Sequence, residues 1–287
     1  MPRPAQPILN RHEFEVLHTR LRRTATPRPD LAQTAAAAAL VHSGAVVSAG
    51  EAPPRGAADR TGAGSAYRLQ QWRDHGDSWH AVNDRIEMDI HGSPSMTHID
   101  ALSHFGWHAD DHTAEPGSLE ALTGGIVGRG VLVDVPRTLG CPVPGGSVVT
   151  PDDLVETLSS QGVEARRGDA LWLRFGREAP RSADEPLGAH PTPGLSIACA
   201  DWLAEVSPAV VITDFGLDGT PSEVEGIAVP WHILTLTSLR IPLVDVANLA
   251  PVADACAQLS RWEFLSVLAP LNLPGASGSP VNPLAIF

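Results

Sequence analysis

Four short apolar runs constrain the fold of this chain more than any other feature. Each run is rich in Val, Leu and Ile, and helix-like stretches separate one run from the next. Short continuous apolar runs of this kind are typical of buried strands. Strands that alternate with helices predict an α/β domain with a mixed central sheet. The runs are GVLVDV (130–135), DALWLRFG (169–176), PAVVITDFG (208–216) and IPLVDV (241–246).

The segments between these runs carry signals for helices. TPDDLVETLSSQG (150–162) begins with Thr150 as an N-cap candidate, and Pro151 occupies the first helical position. Acidic residues in the first turn complement the helix dipole. IACADWLAEV (197–206) is a second predicted helix.

A further strand is predicted immediately before a histidine-rich segment. In RIEMDIH (85–91), apolar and polar residues alternate, so that Ile86, Met88 and Ile90 share one face. This pattern indicates a half-buried strand that leads directly into His91.

The length of 287 residues favours one large domain with a short extension. A charged helix is predicted at about residues 13–23, and Pro27 and Pro29 disfavour its continuation. We therefore expect an N-terminal arm or helix over residues 1–30 and a single domain over residues 31–287.

The composition excludes several classes of function. Acidic residues outnumber basic ones by 33 to 20, giving a net charge of −13, whereas nucleic-acid binding needs a basic face. Every basic residue is Arg, which excludes a Lys Schiff base or a Lys general base. The apolar runs are far shorter than the roughly 20 residues that cross a bilayer, and we expect neither a membrane segment nor a signal peptide.

The cysteines favour a reducing compartment. They are far apart in the sequence and form no CxxC pair. An odd, sparse set fits buried thiols in a cytoplasmic protein better than a disulfide framework. The three residues are Cys141, Cys199 and Cys256.

The most informative segment for chemistry is HGSPSMTHIDALSHFGWHADDH (91–112). His98 and Asp100 are two residues apart, so both side chains reach the same face if the chain is extended. His104 follows Asp100 by four residues, which puts the two on one face if that part is helical. Imidazole and carboxylate side by side suit a divalent ion such as Zn²⁺ or Mn²⁺, and a further imidazole near its water can move protons.

Simpler interpretations of these histidines stay open. Single histidines are more often ordinary hydrogen-bonded residues than metal ligands. His108 and His112 continue the four-residue spacing, but the surrounding sequence HADDHTAEPG is so polar that it favours a solvated loop.

At THIDALSHF (97–105) the chain resembles the metal-dependent cyclase-like hydrolases, a family that includes bacterial kynurenine formamidases and isatin hydrolases. The family motif is His-x-Gly-Thr-His-x-Asp-x-x-x-His, and Thr97, His98, Asp100 and His104 match its second half. Six further blocks resemble the larger branch of this family. They are GIVGRGVLVDVPR (125–137), RRGDALWLRFG (166–176), PGLSIACADWL (193–203), ITDFGLDGTPS (212–222), VPWHILTLTSLRIPLVDVANL (229–249) and GSPVNPLAIF (278–287).

The resemblance implies a fold and a metal site. The fold is the swivelling β/β/α type, so residues 31–287 are expected to form one cyclase-like domain around a mixed central sheet. The resemblance assigns His98 and Asp100 as metal ligands and His104 as the acid/base residue. From the later block it assigns His232 as a ligand and Asp245 as the acidic ligand, although Asp245 also fits a strand-end aspartate that caps a turn.

The chain departs from the motif at its first histidine. That position is Pro94, which has no donor, and the usual glycine is Met96. His91 replaces the missing ligand if the intervening GSP bulges; alternatively, water or substrate fills the place, or metal binding has been lost.

Other residues are candidates for supporting roles. Asp214, at the end of a predicted strand, either orients a ligand histidine or is a plain turn residue. Three tryptophans flank the histidine blocks and form either an apolar wall for a flat substrate or part of the core. They are Trp79, Trp107 and Trp231.

Three functions from different classes compete. The first is a metal-dependent hydrolase of a cyclic or aryl amide, a lactam or a lactone, with metal-bound water as the nucleophile. The second is a non-hydrolytic cyclase, dehydratase or isomerase of secondary metabolism on the same scaffold. The third is a metal-free binding protein or structural subunit on the same scaffold. The resemblance also implies a homo-oligomer that acts on a small-molecule substrate.

Overall fold

A nine-stranded sheet forms the centre of the molecule in the computed structural model, which describes residues 1–51, 67–91, 96–107, 117–177 and 190–287. In spatial order its strands are β13 (Gly278–Pro280), β5 (His98–Asp100), β11 (Leu243–Asp245), β10 (Val210–Thr213), β8 (Ala170–Arg174), β6 (Ile126–Asp134), β12 (Glu263–Leu268), β14 (Leu284–Ile286) and β2 (Val46–Ser48).

The middle of this sheet is parallel and its two sides are antiparallel. Strands β11, β10, β8 and β6 run in the same direction, β5 pairs antiparallel with β11, and β12 pairs antiparallel with β6. The four apolar runs are thus four adjacent strands. The predicted α/β fold with a mixed central sheet is confirmed.

Apolar clusters cover both faces of the sheet, as the alternation of side chains along a strand requires. Along β8, Leu171 and Leu173 belong to one cluster, whereas Ala170 and Trp172 belong to the other. The buried Trp172 indole satisfies its N–H by donating to Ser266 Oγ at 3.1 Å.

Helices lie around this sheet. The predicted helix at 150–162 is present and begins with a capping box, in which the Thr150 side chain accepts from the Asp153 N–H and the Asp153 carboxylate accepts from the Thr150 N–H. Short 3₁₀ turns occur at Leu102–His104, Leu119–Leu122 and Ile197–Cys199, and a π-helix at Leu234–Leu239. In the described ranges, no helix is long and apolar enough to cross a membrane. The α-helices are α1 (Arg11–Arg20), α2 (Leu31–Ala38), α3 (Val135–Leu139), α4 (Pro151–Gln161), α5 (Ala200–Val206), α6 (Pro230–Ile233) and α7 (Ala250–Leu259).

The strand predicted at 85–91 belongs to a separate two-stranded hairpin, β3 (Tyr67–His75) and β4 (His80–Met88). The prediction that it is half-buried is wrong, since Ile86 is 54% exposed and β4 ends at Met88. Alternation identifies the apolar face of a strand, but here that face belongs to a ribbon outside the central sheet.

The N-terminal segment folds against the rest of the chain. Strand β1 (Arg3–Pro4) pairs with β7 (Ser147–Val149), which also pairs with β9 (Gly194–Leu195). Helix α1 starts with Asn10 as N-cap and buries Phe14 completely. The division of the chain at residue 30 stays a prediction.

The thiols give the first testable prediction. Cys199 and Cys256 are buried, whereas Cys141 is exposed. Burial raises the pKa of Cys256 to about 12 and raises that of Cys199 still further. At pH 8 a thiol-specific reagent should therefore label one thiol per native chain rapidly, and all three only after denaturation. Fast labelling of two or more thiols in the native protein would contradict this burial.

Candidate metal centre

The centre forms at the carboxyl end of β11, beside the antiparallel strand β5. The register pairs Asp245 with His98 and Leu243 with Asp100. Because alternate residues of a strand share a face, His98, Asp100 and Asp245 lie on the same side of the sheet. Carboxyl ends of strands are the usual location of ligand sites in α/β sheets.

A first group of donors surrounds one oxygen of Asp100. The Nε2 atom of His91 lies 3.1 Å from Asp100 Oδ1, and that of His98 lies 3.5 Å from the same oxygen. His98 Nδ1 is 2.8 Å from the Met96 carbonyl oxygen, so Nδ1 carries the proton and Nε2 presents its lone pair. His91, from the turn after β4, thus joins the motif residues.

A second group surrounds the other oxygen. His232 Nε2 lies 3.5 Å from Asp100 Oδ2 and 3.1 Å from Asp245 Oδ2. Its Nδ1 donates to Asp218 Oδ2 at 2.5 Å. Asp218 also accepts from the backbone N–H groups of Trp231 (2.7 Å) and His232 (3.1 Å), so this carboxylate fixes both the ring and the start of α6.

Asp100 is common to both groups, and its surroundings suit a cation. It is 1% exposed, yet both carboxylate oxygens lack a hydrogen-bond partner among the described residues. Burial opposes its ionisation, but the imidazoles of His232 and His91 hold the pKa of Asp100 below its ordinary value. An ionised, buried carboxylate without hydrogen bonds is costly unless a cation compensates it.

The donor set also fits a divalent ion chemically. The donor atoms of His91, His98 and Asp100 all lie within 4.8 Å of one another, as do those of Asp100, His232 and Asp245. Imidazole nitrogen with carboxylate oxygen is a combination that Zn²⁺ and Mn²⁺ accept.

His104 lies beside the first group without belonging to it. Its ring stacks on that of His91, with centroids 3.7 Å apart and planes inclined by 14°. Burial lowers the pKa of His104 to about 4, so the ring is neutral near pH 7. Burial alone would also lower the pKa of His232, but the three carboxylates beside its ring, those of Asp100, Asp218 and Asp245, raise it well above the ordinary value.

The residue that orients His232, a candidate metal ligand, is not the predicted Asp214. The carboxylate of Asp214 faces the chain after β8 and accepts the backbone N–H groups of Phe175 (2.8 Å), Gly176 (2.7 Å) and Arg177 (2.9 Å). It is Asp218, four residues further along, that contacts His232.

The predicted tryptophan wall is wrong. Trp231 is 1% exposed and donates its indole N–H to the Leu195 carbonyl, and Trp107 packs edge-on against Phe14. Trp79 lies at the exposed tip of the β3–β4 hairpin, about 25 Å along β4 from the end nearest His91 at roughly 3.3 Å per residue. The alternative interpretation, core packing, holds for Trp107 and Trp231.

Some predicted features lie outside the described residues. They are Pro94, His108 and His112.

Comparison with known proteins identifies the family. The Cyclase family model, whose description is putative cyclase, matches residues 25–218. The chain belongs to this family. No curated protein matches the chain.

Solved structures agree with the family match. The crystal structure of a novel cyclase is 27% identical, aligns over 90% of this chain and 92% of its own, and has a TM-score of 0.77. Isatin hydrolase A from Ralstonia solanacearum is 19% identical over 92% of this chain and 99% of its own, with a TM-score of 0.54. An isatin hydrolase bound to the product analogue thioisatinate is 17% identical over 84% and 92%, with a TM-score of 0.55. The last two show the fold alone.

These findings confirm the predicted resemblance, the fold and an enzyme of the cyclase family. The cyclase-family fold occurs together with a His/Asp cluster suited to a divalent metal. The identity of the metal and the role of each site residue stay predictions.

Asp218 supports a testable prediction. Asp218→Asn removes the negative charge that holds His232 Nδ1–H, so we expect metal affinity to fall about 10- to 100-fold. Raising the metal concentration should restore binding, as measured by competition with a chromophoric chelator. Asp201→Asn, at a mostly exposed carboxylate paired with Arg20, is the control and should bind like the wild type. Wild-type affinity in Asp218→Asn would contradict the orienting role.

Proposed function

We propose that this protein is a metal-dependent hydrolase that opens a cyclic or aryl amide, a lactam or a lactone. The observation that carries the proposal is Asp100, a buried carboxylate with one oxygen facing His91 and His98 and the other facing His232. Fold neighbours that hydrolyse isatin, a cyclic amide, support the substrate class.

The proposed ligands are His98, Asp100, His232 and Asp245, with His91 in the place of the motif histidine that is absent at Pro94. The position of His91 supports this, because its Nε2 approaches Asp100 Oδ1 at 3.1 Å, nearer than the 3.5 Å of His98. Because the two oxygens of Asp100 face different groups of donors, each group suits one divalent ion. We propose Zn²⁺ or Mn²⁺.

A divalent cation held here would supply Lewis acidity that activates a water molecule and polarises the substrate carbonyl. The protein's own contribution to proton transfer is His104. Its neutral ring accepts a proton from the attacking water and returns it to the leaving nitrogen or oxygen as the C–N or C–O bond breaks. Stacking on His91 restricts the orientation of this ring.

Product mass tests the proposal. Metal-replete protein is incubated with N-formyl aryl amides, lactams and lactones, and the masses of the products are measured by mass spectrometry. We expect a lactam or lactone to give one product heavier by one water, or an N-formyl amide to give formate and the free amine, whose masses together equal the substrate plus one water. A product of unchanged mass would favour the isomerase alternative, and no turnover together with no bound divalent ion would contradict the proposal.

The proposal also covers the quaternary state and the location. A homo-oligomer is implied by the family resemblance, and the exposed apolar side chains of the β3–β4 hairpin support it. These side chains include Trp72, Trp79, Val82 and Ile86. Sedimentation velocity measures the mass in solution, and a monomer at all concentrations would contradict the proposal. The cytoplasmic location stays a prediction from the cysteines.

A further inference from the structure

The segment before residue 25 lies outside the family match but is fastened to the candidate metal centre. We call residues 3–23 the N-terminal clasp. It contacts three stretches of chain, and each of them carries a residue of the centre.

The first contact is with Trp107, three residues after His104. Phe14 meets the Trp107 ring edge-on with centroids 5.4 Å apart, and His18 lies 5.8 Å from it. The Arg11 guanidinium lies 5.5 Å from the centre of the same ring. The clasp therefore holds the far end of the short segment that carries the proton-transfer histidine.

The second contact is with the π-helix Leu234–Leu239, which follows directly on α6 and its ligand histidine. Thr237 Oγ1 donates to the Ile233 carbonyl at 2.6 Å, so its 2.7 Å contact with His18 Nε2 is a hydrogen bond donated by the imidazole. Ser238 Oγ donates to the His18 carbonyl at 2.8 Å. π-Helices are rare and occur frequently at functional sites.

The third contact is with the loop that carries Asp218. The N–H groups of Ile8 and Leu9 donate to the Glu223 carbonyl at 2.8 and 3.2 Å, and the Glu225 N–H returns a bond to Leu9 at 2.9 Å. Arg3 pairs with the Glu223 carboxylate. The clasp thus spans all three stretches at once.

We propose that the N-terminal clasp is a positioning element for the metal centre, with His18 as its key residue. His18 is 6% exposed. Burying a polar imidazole costs free energy, and the hydrogen bond to Thr237 offsets that cost. An apolar residue would pack there without the side-chain bond to Thr237. The proposal rests on the proposed function, because it acts through His104 and His232.

Two variants remove the hydrogen bond between His18 and Thr237 with little change of side-chain shape: His18→Leu and Thr237→Val. Zn²⁺ affinity, measured by chelator competition on the loaded full-length protein, should fall roughly tenfold, at the low end for residues that support metal ligands. Hydrogen exchange of peptides covering 97–107 and 228–240 should become faster in both variants. His18→Gln, which keeps a donor, should restore much of the affinity.

Two controls separate positioning from general stability. Arg20 also lies on α1, but it pairs with Asp201. Arg20→Ala breaks this ion pair and should leave the Zn²⁺ affinity and the hydrogen exchange of both peptides unchanged. Leu158→Ala lowers stability from α4, at a side chain that lines a pocket with Arg129 and Trp262 and belongs to none of the three stretches that the clasp contacts. If Leu158→Ala weakens Zn²⁺ binding as much as His18→Leu does, the positioning role is overturned.

The outcomes for the clasp and for the metal site are distinguishable. Unchanged exchange in both peptides overturns the clasp, whatever the metal content. If the wild type binds no divalent ion, the proposed function fails. In that case hydrogen exchange alone tests the role of the clasp, and faster exchange of both peptides in the variants supports it.

Discussion

Asp100→Asn should abolish divalent metal binding and, with it, hydrolysis. The substitution removes the charge that faces both donor groups and leaves an amide nitrogen where one group needs an oxygen. At a metal concentration about 1,000 times the dissociation constant, the wild type should gain about 4 kcal/mol of stability, and the variant should gain almost none. Thermal unfolding with and without metal, together with elemental analysis, measures both effects.

Asp254→Asn, at an exposed aspartate on α7, provides the matched control for Asp100→Asn. It should retain the metal-dependent rise in melting temperature. Stoichiometric metal in Asp100→Asn would show that the shared carboxylate is not the centre of the site. Unfolding of the metal-free variant is not expected, because an amide is less costly to bury than an unpaired carboxylate.

His104→Asn should lower kcat about 10²- to 10⁴-fold while leaving the metal content unchanged, since His104 moves protons and does not ligate. The stacking of His104 on His91 predicts only a small change in affinity for the metal. Steady-state kinetics on any substrate found in the mass screen, with elemental analysis of the same sample, tests this. His42→Asn, at an exposed histidine bonded to Arg261 just before β12, four strands away from β11 in the sheet, is the control.

Two results would contradict this role for His104. A kcat within a few fold of the wild type would remove it from proton transfer. Loss of metal would make it a ligand, and the assignment of His91 would then need revision.

Much of the framework was predictable because strong local patterns specified it. The four apolar runs became adjacent strands, and the i, i+2 spacing of His98 and Asp100 became one face of β5. The capping signals at Thr150 gave the start of α4 correctly. In each case the physical cause lies within a few residues of sequence.

The rest depends on contacts between distant parts of the chain. Asp214 and Asp218 occupy the same loop, and only the path of that loop decides which one reaches His232. The sequence of β3 is too polar to predict a strand, and pairing with β4 stabilises it. Nothing near His18 in the sequence indicates that Thr237 is its partner.

Anomalous diffraction at the Zn edge, from crystals of the zinc-loaded protein, tests the shared role of Asp100. We expect anomalous density on both sides of this carboxylate, with one zinc ion about 2.0–2.2 Å from the Nε2 atoms of His91 and His98 and a second at the same distance from His232 Nε2. Absence of anomalous density beside Asp100, or a zinc ion beside His98 without His91, would contradict the proposed site.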